Sequence, residues 1–401
     1  MGAADHAVLN RALGRLLPGP DETHLLRAIL HRGESARASW DAFRGSVGDL
    51  PALFRTDTGN RKRLSPLLLA AMRENALEAD ARLRTVVKTA TLREELRVGI
   101  LRELADAAYS ALDEAGIPFV VVRGAVLMET VYAEPAHRHA HDIDVVVPPE
   151  HITAGVEALG RAGFDDVRPL EWEQGLEARH RTQLPVQLVR RAFRMPFYPA
   201  DFATLSARAR RHERVGMTEI LRPDSTDSLL LALGRASFCP SRSNLVWAVD
   251  AWKLAHGPEE IDWDGLVERA RTMRLELPLS VFLDYLRDEL DAPVPAEIAP
   301  ELRAGMTGKP GLRRDVALFG ARQSQGAHPD LARRIRPPLR ERWTLLRWEL
   351  LPSSEYLTWA YGNPPRALLP LIYLTRPFSA LATRLRWALW RRMRRWSARD
   401  A

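Results

Sequence analysis

The chain has a single cysteine, Cys239, among its 401 residues. One thiol cannot close an internal disulfide, and a zinc site built on paired cysteines is excluded with it, so the composition fits a reducing compartment. Long apolar runs are missing too. The longest near the C-terminus, 367–374, falls far short of the roughly 20 residues that a spanning helix needs. Residues 1–16 lack the basic-then-apolar order of a secretion signal and are expected to form a soluble helix. Together these absences make a cytoplasmic protein the expectation. There are no internal repeats or low-complexity tracts, and 46% hydrophobic with 27% charged residues excludes wholesale disorder. A chain of this length can build two or three cores.

Acidic residues are absent from one region. The net charge of +7 is concentrated after Arg333, and 376–399 holds no Asp or Glu. There Phe378, Leu381, Leu385, Leu389, Met393 and Trp396 recur at three- and four-residue spacing, with Arg384, Arg391, Arg394 and Arg395 on the opposite side. Such a helix can lie on an anionic membrane surface, contact nucleic-acid phosphates, or pack its apolar face on the protein. Peripheral attachment at the inner face of the membrane ranks ahead of nucleic acid, because the core has no basic strand interleaved with aromatics.

The pattern divides the chain into a helical region (1–115), a central core (116–222), a second helical domain (223–300) and a basic helical C-terminal region (301–401). Asp21-Glu22 and Ser65-Pro66 open helices. A long helix is expected from about Arg73 to near Gly116, with Leu92, Leu96, Ile100, Leu104 and Ala108 at four-residue spacing as its apolar positions. Between Phe164–Pro169 and 184–189, both expected as strands, 171–182 reads as a polar segment. After 225, helices capped by Ser225 or Thr226 carry the runs LLLALG and LVWAVDAWKLA. Asp250 within the second run needs a partner, and a structural ion pair with an Arg is expected.

The informative stretch is 117–149, IPFVVVRGAVLMETVYAEPAHRHAHDIDVVVPP. Val-rich runs bounded by Gly and Pro predict strands over 119–122 and 143–147, with a turn at Arg123-Gly124, a short helix and a loop rich in His and Arg between them. Period-2 alternation puts Asp142 and Asp144 on one strand face with Ile143 on the other. Two carboxylates side by side repel unless a cation sits between them, and hard oxygen ligands suit Mg2+. Gly124 would let backbone N–H groups approach a phosphate.

At these residues the chain resembles the polymerase-β-type nucleotidyltransferase superfamily: strand, Gly turn, helix, then a strand carrying Asp-x-Asp. More closely, it resembles the large uncharacterised bacterial nucleotidyltransferase family with a Lys/Arg-Gly turn followed by Arg…Asp-Ile-Asp. The helical lead-in, 159–164, 247–250, 261–263 and 351–353 also fit that family's layout.

The resemblance implies an α+β fold, a small mixed β-sheet core with large helical N- and C-terminal regions. It implies a Mg2+-dependent enzyme that moves a nucleoside monophosphate from an NTP to an unidentified hydroxyl or phosphate acceptor and releases pyrophosphate. Asp142 and Asp144 would hold the metal, Arg123 with Gly124 would meet the triphosphate, and Arg138 would orient the aspartates or hold a phosphate.

The superfamily's third carboxylate has no clear counterpart, because Gln187 stands at the matching position and an amide cannot accept a proton at neutral pH. Three outcomes stay open: Glu171, Glu173, Asp165 or Asp166 substitutes, the chemistry is weak, or the chain is a catalytically impaired nucleotide-binding regulator or scaffold. His137, His139 and His141 are expected at the site mouth, where alternate spacing on a loop does not fix a metal geometry. His141 is the candidate proton acceptor.

Overall fold

The computed structural model describes residues 17–304 apart from 57–60, 171–173, 183, 194–197, 199, 215–216 and 239–244, together with 343, 347, 350–376 and 378. The expectations for 1–16, Glu171, Glu173, Cys239 and nearly all of 376–399 lie outside the described residues.

The described residues begin with helices α1 (Pro20–Leu30), α2 (Gly33–Ser46), α3 (Leu50–Thr56), α4 (Ser65–Glu74) and α5 (Ala81–Glu114). The central part runs β1 (Val120–Val122), α6 (Gly124–Thr130), β2 (Ile143–Val146), α7 (Ile152–Arg161), β3 (Asp166–Pro169), β4 (Gly175–Arg179), β5 (Pro185–Val189), α8 (Phe202–Ser206), β6 (Arg210–His212) and β7 (Ile220–Arg222). Then come α9 (Ser225–Phe238), α10 (Val246–Ala255), α11 (Trp263–Met273), α12 (Glu276–Leu290), α13 (Ile298–Ala304) and α14 (Ser354–Ala360). The architecture is α+β, a small mixed sheet within large helical regions.

The main sheet has the order β1-β2-β5-β4-β3, and only β2 and β5 are parallel. Strand alternation gives it two faces. Val121, Ile143, Val145, Val147, Val186 and Leu188 join one cluster with the second half of α5 and with α7. Val120, Val122, Val146 and Val189 turn the other way, into a cluster shared with α1, α4, α9, α10 and α12. Asp144 alternates with Ile143 and Val145, so it belongs to this second face. Trp247 of α10 packs edge-on against Phe282 of α12, centroids 4.5 Å apart, which holds the covering helices together.

Three expectations about the helices change. The stretch from Arg73 is two helices, because α4 ends at Glu74, Ala76 takes φ 52°, and Asp80 caps α5 by accepting from Leu83 N at 2.6 Å. Its four-residue apolar spacing is not a buried stripe: Leu92, Leu96 and Ile100 are 51%, 73% and 45% exposed. At 3.6 residues per turn, each step of four drifts about 40° around the axis, so Leu92 and Ala108 point to nearly opposite sides. The cap of α9 is Asp224, whose Oδ1 accepts from Asp227 N at 2.7 Å, rather than Ser225 or Thr226.

The polar segment contains strand β4. Gly175 is needed there, since a Cβ would lie 1.9 Å from the Leu188 carbonyl oxygen of β5. No helix among the described residues is long and apolar enough to cross a membrane.

Candidate active site

The antiparallel register of β1 and β2 sets Val122 opposite Asp144, so Arg123 emerges beside the carboxylate. Its Nη1 donates to Asp144 Oδ1 at 2.7 Å and its Nη2 to the Ala192 carbonyl. Arg123 has φ 67° and ψ −139°, a backbone conformation that side-chain-bearing residues rarely adopt and that costs of order 1–3 kcal/mol. Its two hydrogen bonds hold it there. Gly124 follows because a Cβ would meet Ala140 Cβ at 3.3 Å and Arg138 Nη1 at 3.4 Å. The missing side chain thus makes room for the Arg138 guanidinium. Asp142 does not share the strand with Asp144 as expected: β2 begins at Ile143, and Asp142 is the last residue of the preceding loop.

Arg123, Gly124, Arg138, His141, Asp142 and Asp144 nonetheless line one pocket, with about 770 Å³ of open space that includes its mouth. Its opposite wall is α9 and α10, which contribute Arg235, Trp247 and Asp250, and Arg63 completes the rim.

Burial and repulsion by Asp142 raise the pKa of Asp144 above the ordinary carboxylate value, although Arg123 opposes both. Burial works against charge on Asp142 as well, yet its positive neighbours His141, Arg235, Arg123 and Arg138 outweigh it and lower its pKa. Arg235 is pulled below its usual value, first by Arg123 and then by desolvation. A guanidinium stays charged even so. It makes no hydrogen bond or ion pair among the described residues, so this wall carries positive charge that an anion would satisfy.

Arg138 is held by Asp250. Its Nε and Nη2 reach the two carboxylate oxygens at 2.7 and 2.8 Å, and Tyr132 Oη donates to the same carboxylate at 2.6 Å. The expected ion pair of Asp250 with an Arg is this fork, and it ties α10 to the loop before Asp142. His141 is half-exposed, with Asp142 Oδ2 3.8 Å from its Nε2. Desolvation lowers its pKa, against the pull of Asp142.

Gln187 stands level with Asp144 on the neighbouring strand, and Glu177 is level with Gln187 one strand further out. Gln187 Nε2 donates to Glu177 Oε2 at 3.2 Å, while Arg179 Nε donates to Oε1 at 2.6 Å. A carboxylate at 187 would sit between two others, and the amide avoids that repulsion. Asp166 lies on β3, at the sheet edge, and pairs with Arg168, and neither it nor Asp165 lines the pocket.

Sequence patterning did not single out Arg63, Arg235 or Glu177. Arg235 had a readable signal, since it breaks the apolar face of α9 directly after LLLALG. Arg63 comes from a distant segment that only folding brings to the rim.

Among the described residues no cluster of three or more His, Cys, Asp and Glu side chains forms a metal-holding group. The Asp142/Asp144 pair still fits Mg2+, which beside a nucleotide takes one or two carboxylates, with phosphate oxygens and waters completing its shell. Neither the curated proteins nor the solved structures contain a match to this chain. A family model described as uncharacterised nucleotidyltransferase does match, over residues 56–290, a span that holds every pocket residue named above. The chain belongs to that nucleotidyltransferase family.

Proposed function

We propose that the pocket binds an NTP with Mg2+ and transfers its nucleoside monophosphate to a hydroxyl or phosphate acceptor, releasing pyrophosphate. The observation that carries this is that the carboxylates of Asp142 and Asp144 share one pocket with the guanidinium of Arg235, which makes no hydrogen bond or ion pair among the described residues. Asp142 and Asp144 would hold Mg2+, which when bound supplies positive charge against the phosphate oxygens. Arg235 binds the triphosphate, Arg123 fixes Asp144 and adds positive charge beside it, and the Arg138–Asp250 fork fixes the loop that ends at Asp142. Gln187 beside Asp144 favours a second reading, a nucleotide-binding regulator or scaffold of the same fold.

Arg235→Gln is expected to weaken NTP binding roughly 10- to 150-fold, the equivalent of about 1.5–3 kcal/mol for a hydrogen bond to a charged group. Because Arg235 makes no ion pair in the described structure, the melting temperature is expected to hold. Calorimetric titration with MgATP, MgGTP, MgCTP and MgUTP measures this. Wild-type affinity in the variant would remove Arg235 from the site.

Attachment to an anionic membrane surface is proposed for the C-terminal region. Leu351, Trp359, Tyr361, Leu368, Leu371 and Leu374 are exposed, and no Asp or Glu occurs in 356–399. Aromatic and aliphatic groups beside arginines suit a lipid interface, where each arginine near the surface contributes about 1 kcal/mol. The full chain should sediment with phosphatidylglycerol-rich vesicles, detach as salt rises, and lose retention when 378–401 are removed. Equal retention on phosphatidylcholine vesicles, or none on either, would contradict this.

A further inference from the structure

With Gln187 at the position of the third carboxylate, the site needs another group to take the proton of an attacking hydroxyl. His141 is poorly placed for it: the ring is 48% exposed, and no hydrogen bond among the described residues fixes its orientation. His139, two residues earlier in the same loop, differs on both counts. Its side chain is only 14% exposed, it lines the pocket with Asp142 and Asp144, and its Nδ1 lies 2.9 Å from Glu94 Oε2 of α5.

A carboxylate can only accept, so Nδ1 must carry the hydrogen. In the neutral ring that leaves Nε2 unprotonated, and Nε2 has no hydrogen-bond partner among the described residues. Glu94 does not line the pocket, so Nδ1 is the end of the ring turned away from it. Glu94 is itself 8% exposed, with Oε1 buried and without a hydrogen-bond partner among the described residues. Arg97, one turn further along α5, stands 3.6 Å from the same Oε2, but the hydrogen bond at 2.9 Å goes to the imidazole and orients it.

We infer that His139 is the general base of the transfer and that Glu94 is the residue that positions it. The inference rests on the transferase reading of the pocket. In the step, Nε2 accepts the proton of an alcohol hydroxyl as the alcohol oxygen forms a bond to the α-phosphorus. The bond from the α-phosphorus to the bridging oxygen breaks, and pyrophosphate leaves with that electron pair. The stacked ring of His141, centroid 5.7 Å away, buttresses the imidazole.

Two measurements test this. Nitrogen-15 NMR of histidine-labelled protein, without nucleotide or metal, should find His139 as the Nδ1–H tautomer in wild type. That preference should vanish in Glu94→Leu, which offers no acceptor, and persist in Glu94→Asp. An Nε2–H tautomer in wild type overturns the assignment. In the second, pyrophosphate release from the four Mg·NTPs is followed with desalted cell extract as acceptor. His139→Asn should lower kcat roughly 10²- to 10⁴-fold, with NTP affinity within about twofold of wild type. Glu94→Gln should lower kcat at unchanged NTP affinity, and His139→Gln serves if the Asn variant does not fold. Active wild type with an equally active His139 variant defeats the base assignment alone, whereas wild type that binds NTP but releases no pyrophosphate defeats the transferase reading beneath it.

Discussion

Replacing Asp142 and Asp144 together by Asn is expected to abolish Mg2+-dependent NTP binding while the protein stays folded. Each carboxylate is penalised by burial, and the two repel, which makes the pair a poor structural device on its own account. Removing the charge of Asp142 relieves the repulsion. Asp144 has a structural partner in Arg123, and here the choice of Asn matters. Its amide oxygen can still accept from Arg123 Nη1, whereas Ala would leave a guanidinium only 13% exposed without its partner, a change that typically costs about 3–5 kcal/mol. The loss of function should be far larger than the loss of stability. Charge stabilisation by a carboxylate-held metal is worth several kcal/mol, about 10³-fold or more in rate at 1.4 kcal/mol per decade. Calorimetric titration with Mg·NTP and a thermal melt separate the two effects, and a folded double variant with wild-type affinity would show that the pocket does not use these residues.

Asp250→Ala should destabilise the protein by about 3–5 kcal/mol. The substitution strips both acceptors from the Arg138 fork and leaves Tyr132 Oη without its bond, in a place where Asp250 is 4% and Arg138 14% exposed. An uncompensated charge and an orphaned hydroxyl add to one another. Replacing the pair with apolar residues, Arg138→Met with Asp250→Leu, should recover most of the loss, because the desolvation cost of both charges goes with them. Urea denaturation of the single and double variants checks this. If the double variant recovers stability and binds Mg·NTP like wild type, Arg138 acts only as a clamp on α10. Weak NTP binding by the recovered protein would give Arg138 a role in the site as well.

The strand and turn around the site were readable because Val-rich runs and Gly-Pro punctuation survive as local signals. The predicted ends of the two central strands, Phe119 and Val147, each miss the structure by one residue. Other features depend on partners far away in sequence. Whether Glu94, mid-helix in α5, is solvated or buried follows from where the loop around His139 lands, 45 residues later. Four-residue spacing does not reveal the exposure of Leu92 and Leu96, because such a row winds around the helix instead of running straight along it. Strand β4 was hidden because its side chains are mixed in polarity, and Glu177 is buried only through the Gln187 amide and Arg179.

The most direct test of nucleotidyl transfer is incubation of the full chain with Mg2+, desalted cell extract and NTPs labelled in parallel at the α- or the γ-phosphate. Transfer of the nucleoside monophosphate predicts label in a product from the α-labelled NTP only, with all γ-label appearing in pyrophosphate. Label carried into product from the γ-position, or no product from either while the NTP binds, would contradict it.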